Sequence, residues 1–216
     1  MATRKPVIWK KMQGAYHHGD LKASLKRAAL RLVREKGPRS FSLNEASRLA
    51  GVTAAAPYRH FKDKDALLAE IALDGLVLMV RELREAAAGV SGVREQMLEV
   101  GMAYLRFSSL RSDYFAVIFN AGLDKSKYPE VGRAAEDAFR VIFELCQQAE
   151  KTPELAAQRA VSAWGLAHGF ATLTLDGALS TAIEERPKFE HLRPILRRFL
   201  NQPYASNPEI RKDEAM

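Results

Sequence analysis

The stretch Ser42-Leu43-Asn44-Glu45-Ala46-Ser47-Arg48-Leu49-Ala50-Gly51-Val52-Thr53-Ala54-Ala55-Ala56-Pro57-Tyr58-Arg59-His60-Phe61 holds two short helical segments and a tight turn. Ser42 and Glu45, three apart, match a capping box, in which each side chain satisfies a backbone N–H of the other. Leu43, Ala46, Leu49 and Ala50 follow at helical spacing. Gly51 ends this segment, since glycine enters the left-handed region at little cost. Thr53 is expected to cap a second segment from Ala54 to about Phe61, with Pro57 tolerated in its first turn. Each segment is about two turns long, too short to be stable alone. Both therefore need helices before and after them to pack against.

Those helices are present in the pattern. Upstream, Asp20 is placed to cap a run in which Leu21, Leu25, Ala28, Ala29, Leu32 and Val33 recur at helical spacing, closed by Gly37-Pro38. Downstream, Asp63 caps a long helix from Lys64 to about Ala88, with Leu67, Leu68, Ile71, Leu76, Val80 and Leu83 apolar. Further helices are expected over roughly 93–110, 112–120, 128–150, 153–180 and 189–200. No period-two alternation persists long enough to argue a strand. The expected fold is all-α, with a basic arm over 1–19, a three-helix helix-turn-helix over 20–65, a helical domain over 66–202 and a tail over 203–216.

The net charge of +7 is unevenly spread: residues 1–64 hold 15 Lys/Arg against 4 Asp/Glu, and residues 65–216 hold 18 against 22. A basic first third on a mildly acidic remainder points one end of the chain at a polyanion. In a helix-turn-helix the second short helix enters the DNA major groove. Ser47 and Gly51, four apart and small, permit the close crossing of the two segments. Tyr58, His60 and Lys64 are placed for phosphate, and Arg59 for phosphate or a guanine edge. Phe61 is expected to point into the core.

The longest uncharged stretch, Ala160 to Leu175, is interrupted by His168 and glycines and falls short of the roughly 20 residues of a membrane span. No apolar segment follows the basic residues Arg4, Lys5, Lys10 and Lys11, so a cytoplasmic location is expected, with no membrane partner. The single cysteine, Cys146, lies in an apolar run and reads as a buried structural thiol. Neighbouring His17 and His18 diverge and lack partners at ligand spacing, so no metal site and no cofactor are expected. Phosphate loops and hydrolase or metalloprotease motifs are absent from the sequence.

The run Gly51-Val52-Thr53-Ala54-Ala55-Ala56-Pro57-Tyr58-Arg59-His60-Phe61-Lys62-Asp63-Lys64-Asp65-Ala66-Leu67-Leu68 resembles the N-terminal signature of tetracycline-repressor (TetR/AcrR) family regulators. The shared features are the Val-Thr opening, Tyr58 two residues before His60, the aromatic after it and Lys-Asp-x-Leu-Leu at the next helix. Tyr16-His17-His18-Gly19-Asp20-Leu21 resembles the entry to helix one in a subset of that family. Trp164-Gly165-Leu166-Ala167-His168-Gly169 resembles the Trp-His-Gly signature of one TetR-type C-terminal domain. Two departures stand out: Ser47 replaces a common alanine, and Ala54-Ala55-Ala56-Pro57 replaces polar or glycine residues. Alanine methyls can meet thymine methyls but donate nothing to base edges, which shifts direct readout to Thr53, Arg59 and Asn44.

The resemblance implies a homodimeric repressor that binds a palindromic double-stranded operator and is released by a small effector in a helical ligand and dimerisation domain. The DNA-contacting set expected is Ser42, Asn44, Thr53, Ala54, Ala56, Tyr58, Arg59, His60 and Lys64. The effector set expected is Tyr104, Phe107, Phe115, Phe119, Trp164 and His168. Trp164 and His168, four apart on one helix face, read as cavity lining, as a hydrogen-bonded hinge or as a packed aromatic against a satisfied histidine. The dimer seam is expected in 153–180 and 189–200, with Trp164, Phe170, Leu173, Ile195, Leu196 and Phe199 supplying core and seam. Two rival classes remain: a non-specific DNA-organising protein, and an enzyme using His168 as base.

Overall fold

The computed structural model describes residues 20–124, 126–179 and 189–202. The arm over 1–19, with its basic and histidine residues, and the tail over 203–216 lie outside the described residues. Eight α-helices are described: α1 (Asp20–Lys36), α2 (Leu43–Leu49), α3 (Lys64–Ala88), α4 (Val93–Leu110), α5 (Ser112–Asn120), α6 (Pro129–Ala149), α7 (Pro153–Leu175) and α8 (Arg193–Asn201). Short 3-10 turns stand at Pro57–Arg59 and Phe189–Leu192. Among the described residues there is no strand, so the architecture is all-α. None of the described helices is long and apolar enough to cross a membrane.

Local signals explain several helix ends. Gly37 takes φ +83° directly after α1. Ser42 accepts from the Glu45 N–H while the Glu45 carboxylate accepts from the Ser42 N–H at 2.8 Å, which completes the capping box at α2. At its far end the Val52 N–H donates to the Ser47 carbonyl and the Gly51 N–H to that of Arg48, a Schellman closure that needs Gly51 at φ +71°. The Asp63 carboxylate accepts from the Ala66 N–H at 2.8 Å and starts α3.

Three helix expectations need correction. The segment 54–61 is not an α-helix: only Pro57–Arg59 is helical, as a 3-10 turn. Pro57 has no N–H to give the Thr53 carbonyl, so that α-type bond cannot form; the Ala56 N–H takes that carbonyl in an i+3 bond instead, and Thr53 caps through its backbone rather than its hydroxyl. Helix α7 ends at Leu175, not near 180, because Gly177 turns the chain at φ +73°. The segment 189–200 is split, with a 3-10 turn leading into α8, whose first turn holds Pro194.

Two apolar cores result. The first joins α1, α2 and the buried Phe61 to Leu67, Leu68, Ile71 and Leu76 of α3, with Val117 of α5 and Val131 of α6. The second joins Met79 and Leu83 of α3 to α4, α6, α7 and α8. Helix α3 is thus common to both. Gly75, at its middle, lets α5 approach closely: a Cβ there would stand 2.8 Å from Cδ1 of Tyr114.

Candidate functional site

The first candidate surface is the helix-turn-helix. Ser47 is fully buried, its hydroxyl donating to the Leu43 carbonyl at 2.8 Å, so the crossing of α2 is closed by a small, satisfied residue. Phe61 is buried as expected. Around them Asn44, Thr53, Ala54, Ala55, Arg59 and His60 are exposed. Tyr58 is 58% exposed despite its size, which argues against a core role for the ring.

Three of the expected contacts are partly committed elsewhere. The Ser42 hydroxyl is engaged with Glu45 in the cap. Ala56 is half-buried against the first core, leaving Ala54 and Ala55 as the exposed methyls. The Lys64 ammonium donates to the Arg39 carbonyl at 3.1 Å and sits 5.4 Å from the centre of the Phe41 ring. It is therefore held at the start of α3 rather than swinging freely.

Ion pairs fasten this unit to α3 and α5. Lys22 meets Glu70 at 2.6 Å, Lys26 pairs with Asp74, and Arg34 meets Asp113 at 3.1 Å. Glu45, paired with Lys36 at 2.6 Å, has its carboxyl lowered to about 2; the Lys36 hydrogen bond is the largest cause, followed by the Ser42 backbone N–H.

The second candidate site is a cavity of about 770 Å³ in the second core, bounded by α3, α4, α5, α6, α7 and α8. Such a volume lies in the range of small-molecule sites. Leu76, Met79, Phe119, Phe139 and Phe143 make much of the wall, and Tyr104, Trp164 and His168 bring polar atoms. The Tyr104 hydroxyl lies 2.8 Å from Nδ1 of His168. Burial raises the Tyr104 phenol and lowers the His168 imidazole from their ordinary values, which keeps both neutral. Glu136 and Arg140 of α6 are the charged lining residues.

Of the expected effector residues, Tyr104, Phe119, Trp164 and His168 line this cavity. Phe107 and Phe115 do not: both are fully buried in the second core. Phe115 packs behind the lining, its ring stacked on His168 at 5.6 Å between centroids. Leu196 is buried and lines the cavity, so it is not free for a seam, whereas Ile195 beside it is exposed. Cys146 is buried and its thiol is pushed up to about 12, chiefly by desolvation. Among the described residues no cluster is able to hold a metal ion.

Residues 25–71 match the bacterial regulatory proteins of the tetR family, and residues 97–193 match the tetracyclin repressor-like C-terminal domain. The chain belongs to the tetR family. Both domains of this tetR-family chain are those of transcription regulators, which are not enzymes, and the reading of His168 as a catalytic base is set aside. The HTH-type transcriptional regulator AcrR of Shigella flexneri is 54% identical over 43 residues, which span 20% of this chain and 20% of that relative. A protein of unknown function from Rhodococcus sp. RHA1 shares the fold at a TM-score of 0.71 and 25% identity, over 87% of this chain and 97% of that one. A TetR/AcrR regulator from Thermobifida fusca YX-ER1 gives 0.64 at 19% identity, over 86% and 99%. The regulator FadR from Bacillus subtilis, in complex with stearoyl-CoA, gives 0.68 at 12% identity, over 82% and 96%. The last two bear on the fold alone.

Sequence reasoning missed Arg39 and Gly75. The glycine inside a long helical pattern was a local signal; Arg39 had none, because its partner Asn120 lies 81 residues away.

Proposed function

We propose that this chain is a cytoplasmic, ligand-responsive and sequence-specific transcriptional repressor, a homodimer on a palindromic operator released by a small effector. Residues 20–65 serve as the DNA-binding unit and 66–202 as the effector and dimerisation unit, with Trp164-Gly165-Leu166-Ala167-His168-Gly169 as its Trp-His-Gly signature. The observation that carries this reading is the course of α3. Its first half completes the helix-turn-helix core, and Leu76, Met79 and Leu83 wall the cavity. Leu76 belongs to both.

One short recognition segment reads only a few base pairs, and two of them about 34–36 Å apart read a palindrome. Exposed Val161, Trp164 and Leu173 on α7, with Ile195 on α8, supply apolar surface for the seam. A molecule entering the cavity presses on the second half of α3 and changes the separation of the two reading segments. It weakens DNA binding only if it prefers the DNA-free shape.

The test is selection of bound duplexes from a random pool, repeated with Tyr58→Phe and Arg59→Ala. A palindromic consensus is expected, with Tyr58→Phe weakening every site alike and Arg59→Ala relaxing one position. Specific binding should exceed that to scrambled duplex by on the order of 10³ at physiological salt. Binding without enrichment would replace this reading with that of a non-specific DNA-organising protein.

A further inference from the structure

We propose that the cavity takes an uncharged, mainly apolar molecule carrying a carbonyl-type oxygen, and that Nε2–H of His168 donates the hydrogen bond that fixes it. This rests on the effector-responsive reading above. Its basis is the polarity of the hydrogen bond between Tyr104 and His168.

Tyr104 is buried, so its hydroxyl proton needs an acceptor. Nδ1 of His168, at 2.8 Å, is the partner in reach. The reverse polarity, with Nδ1–H donating, leaves a buried hydroxyl proton unpaired, which proteins avoid. The imidazole is thus a neutral ring with its proton on Nε2. Nε2 has no hydrogen-bond partner among the described residues. Nε2 is accessible rather than sealed, and the ring that carries it lines the cavity. Phe115 and Phe119, at 5.6 and 4.6 Å between centroids, hold the ring in place.

The class of ligand follows. Nε2–H offers a donor and no charge, so it needs an acceptor. The charged lining residues are Glu136 and Arg140, and Arg140 meets Asp137 at 3.5 Å on the half-exposed face of α6. Burial disfavours the imidazolium, so a carboxylate beside His168 gains no counter-ion for the hydration it loses. An ammonium meets a donor. A ketone, ester, lactone or amide oxygen receives its bond while the rest of the molecule lies against Phe119, Phe139 and Phe143.

The test uses the full chain with three probes of equal length: decan-2-one, decanoate and decylammonium. Calorimetry should show decan-2-one binding at least tenfold tighter than either ion, with His168→Phe losing at least fivefold of that affinity. In ¹⁵N-labelled wild-type protein, histidine NMR should show His168 protonated at Nε2, with that signal shifting on addition of decan-2-one. Tyr104→Phe, which keeps the ring, should abolish the tautomer preference. If His168→Phe fails to fold, the wild-type spectra decide. Equal or tighter binding of an ion, an Nδ1–H tautomer, a ketone that leaves the Nε2 signal unmoved, or no ketone binding overturns the proposal. Operator affinity is read in the same samples. Ketone binding without operator release overturns the effector-responsive reading alone and leaves this site standing.

Discussion

Nε of Arg39 donates to the carbonyl of Asn120 at 2.9 Å, joining the link between α1 and α2 to the last residue of α5. Phe119, one residue earlier, lines the cavity. Gly122, just beyond, sits under the same guanidinium: a Cβ on it would lie 2.7 Å from Nη2, and its φ of +71° already disfavours a side chain. Gly122→Ala is therefore expected to lower stability by about 1–2 kcal/mol. Arg39→Ala, which loses a solvent-exposed hydrogen bond, is expected to cost about 1 kcal/mol or less. The double variant should lose less than the two added, because removing Arg39 relieves the clash while the backbone strain remains. Urea unfolding of the four proteins measures this. Strict additivity would show that the two residues do not share the contact.

A second close approach binds α3 to α5. The Cβ of an alanine at Gly75 would stand 2.8 Å from Cδ1 and 3.1 Å from Cβ of Tyr114, and 3.1 Å from Cδ1 of Ile118. The Cβ of Tyr114 is tied to backbone, so the helices themselves must part. Gly75→Ala is expected to destabilise by about 1–3 kcal/mol, the usual range for overpacking. For a chain of this size each kcal/mol lowers Tm by about 2–4 °C. An unchanged thermal midpoint would mean that α5 yields freely at this crossing.

The boundaries of α3, α4 and α5 were legible in the sequence because capping and turn residues, Asp63 and Gly92 among them, mark their ends locally. The segment after Thr53 departs from the expected helix because Pro57 lacks the N–H that the Thr53 carbonyl would accept in an i+4 bond, so the Ala56 N–H takes that carbonyl in an i+3 bond. Four of the six expected effector residues reach the cavity, and Phe107 and Phe115 do not. Helical spacing identifies an apolar face but not whether a neighbour fills the space before it. That depends on how α4 meets α5 and α7, which no local pattern encodes. The Tyr104–His168 bond spans 64 residues and was out of reach for the same reason.

The charge on Glu45 gives a pH signature at α2. Its carboxyl is held near 2 by the Lys36 hydrogen bond first and the Ser42 backbone bond next. A depressed carboxyl adds stability that is complete above its ordinary value of 4.5 and is lost as pH falls towards 2. Glu45→Gln keeps the capping geometry and removes the charge. Wild type is expected to melt above this variant at pH 6 and to converge with it between pH 4.5 and 2. A gap that stays constant down to pH 2 would show that the charge contributes nothing.

Lys64 separates a positioned cation from a generic basic surface. Its bond to the Arg39 carbonyl and its place over Phe41 fix the ammonium at the start of α3. A single phosphate contact contributes about 0.9 to the slope of log K against log salt. Lys64→Gln is expected to reduce that slope by about 1 and to weaken operator and scrambled duplex by the same factor. An unchanged slope, or a loss confined to one base position, would remove Lys64 from the phosphate-contacting set.

A buried tie beside the second core is Arg159 of α7, 1% exposed. Its guanidinium pairs with Glu150, which closes α6, and Nη2 donates to the Gln202 carbonyl at 2.9 Å, which closes α8. One buried cation thus anchors the ends of two helices, and α8 supplies Leu196, Phe199 and Leu200 to the cavity wall. Removing one member of such a pair leaves the other charge poorly solvated, at a cost of about 3–5 kcal/mol. Arg159→Met is expected to fall in that range by urea unfolding. Adding Glu150→Leu should restore much of the loss, because a buried pair replaced by packed apolar groups is often neutral. Restoration cannot be complete, since the Gln202 carbonyl still lacks its donor. If the double variant is no more stable than Arg159→Met, the guanidinium acts through its bond to α8 rather than through its charge.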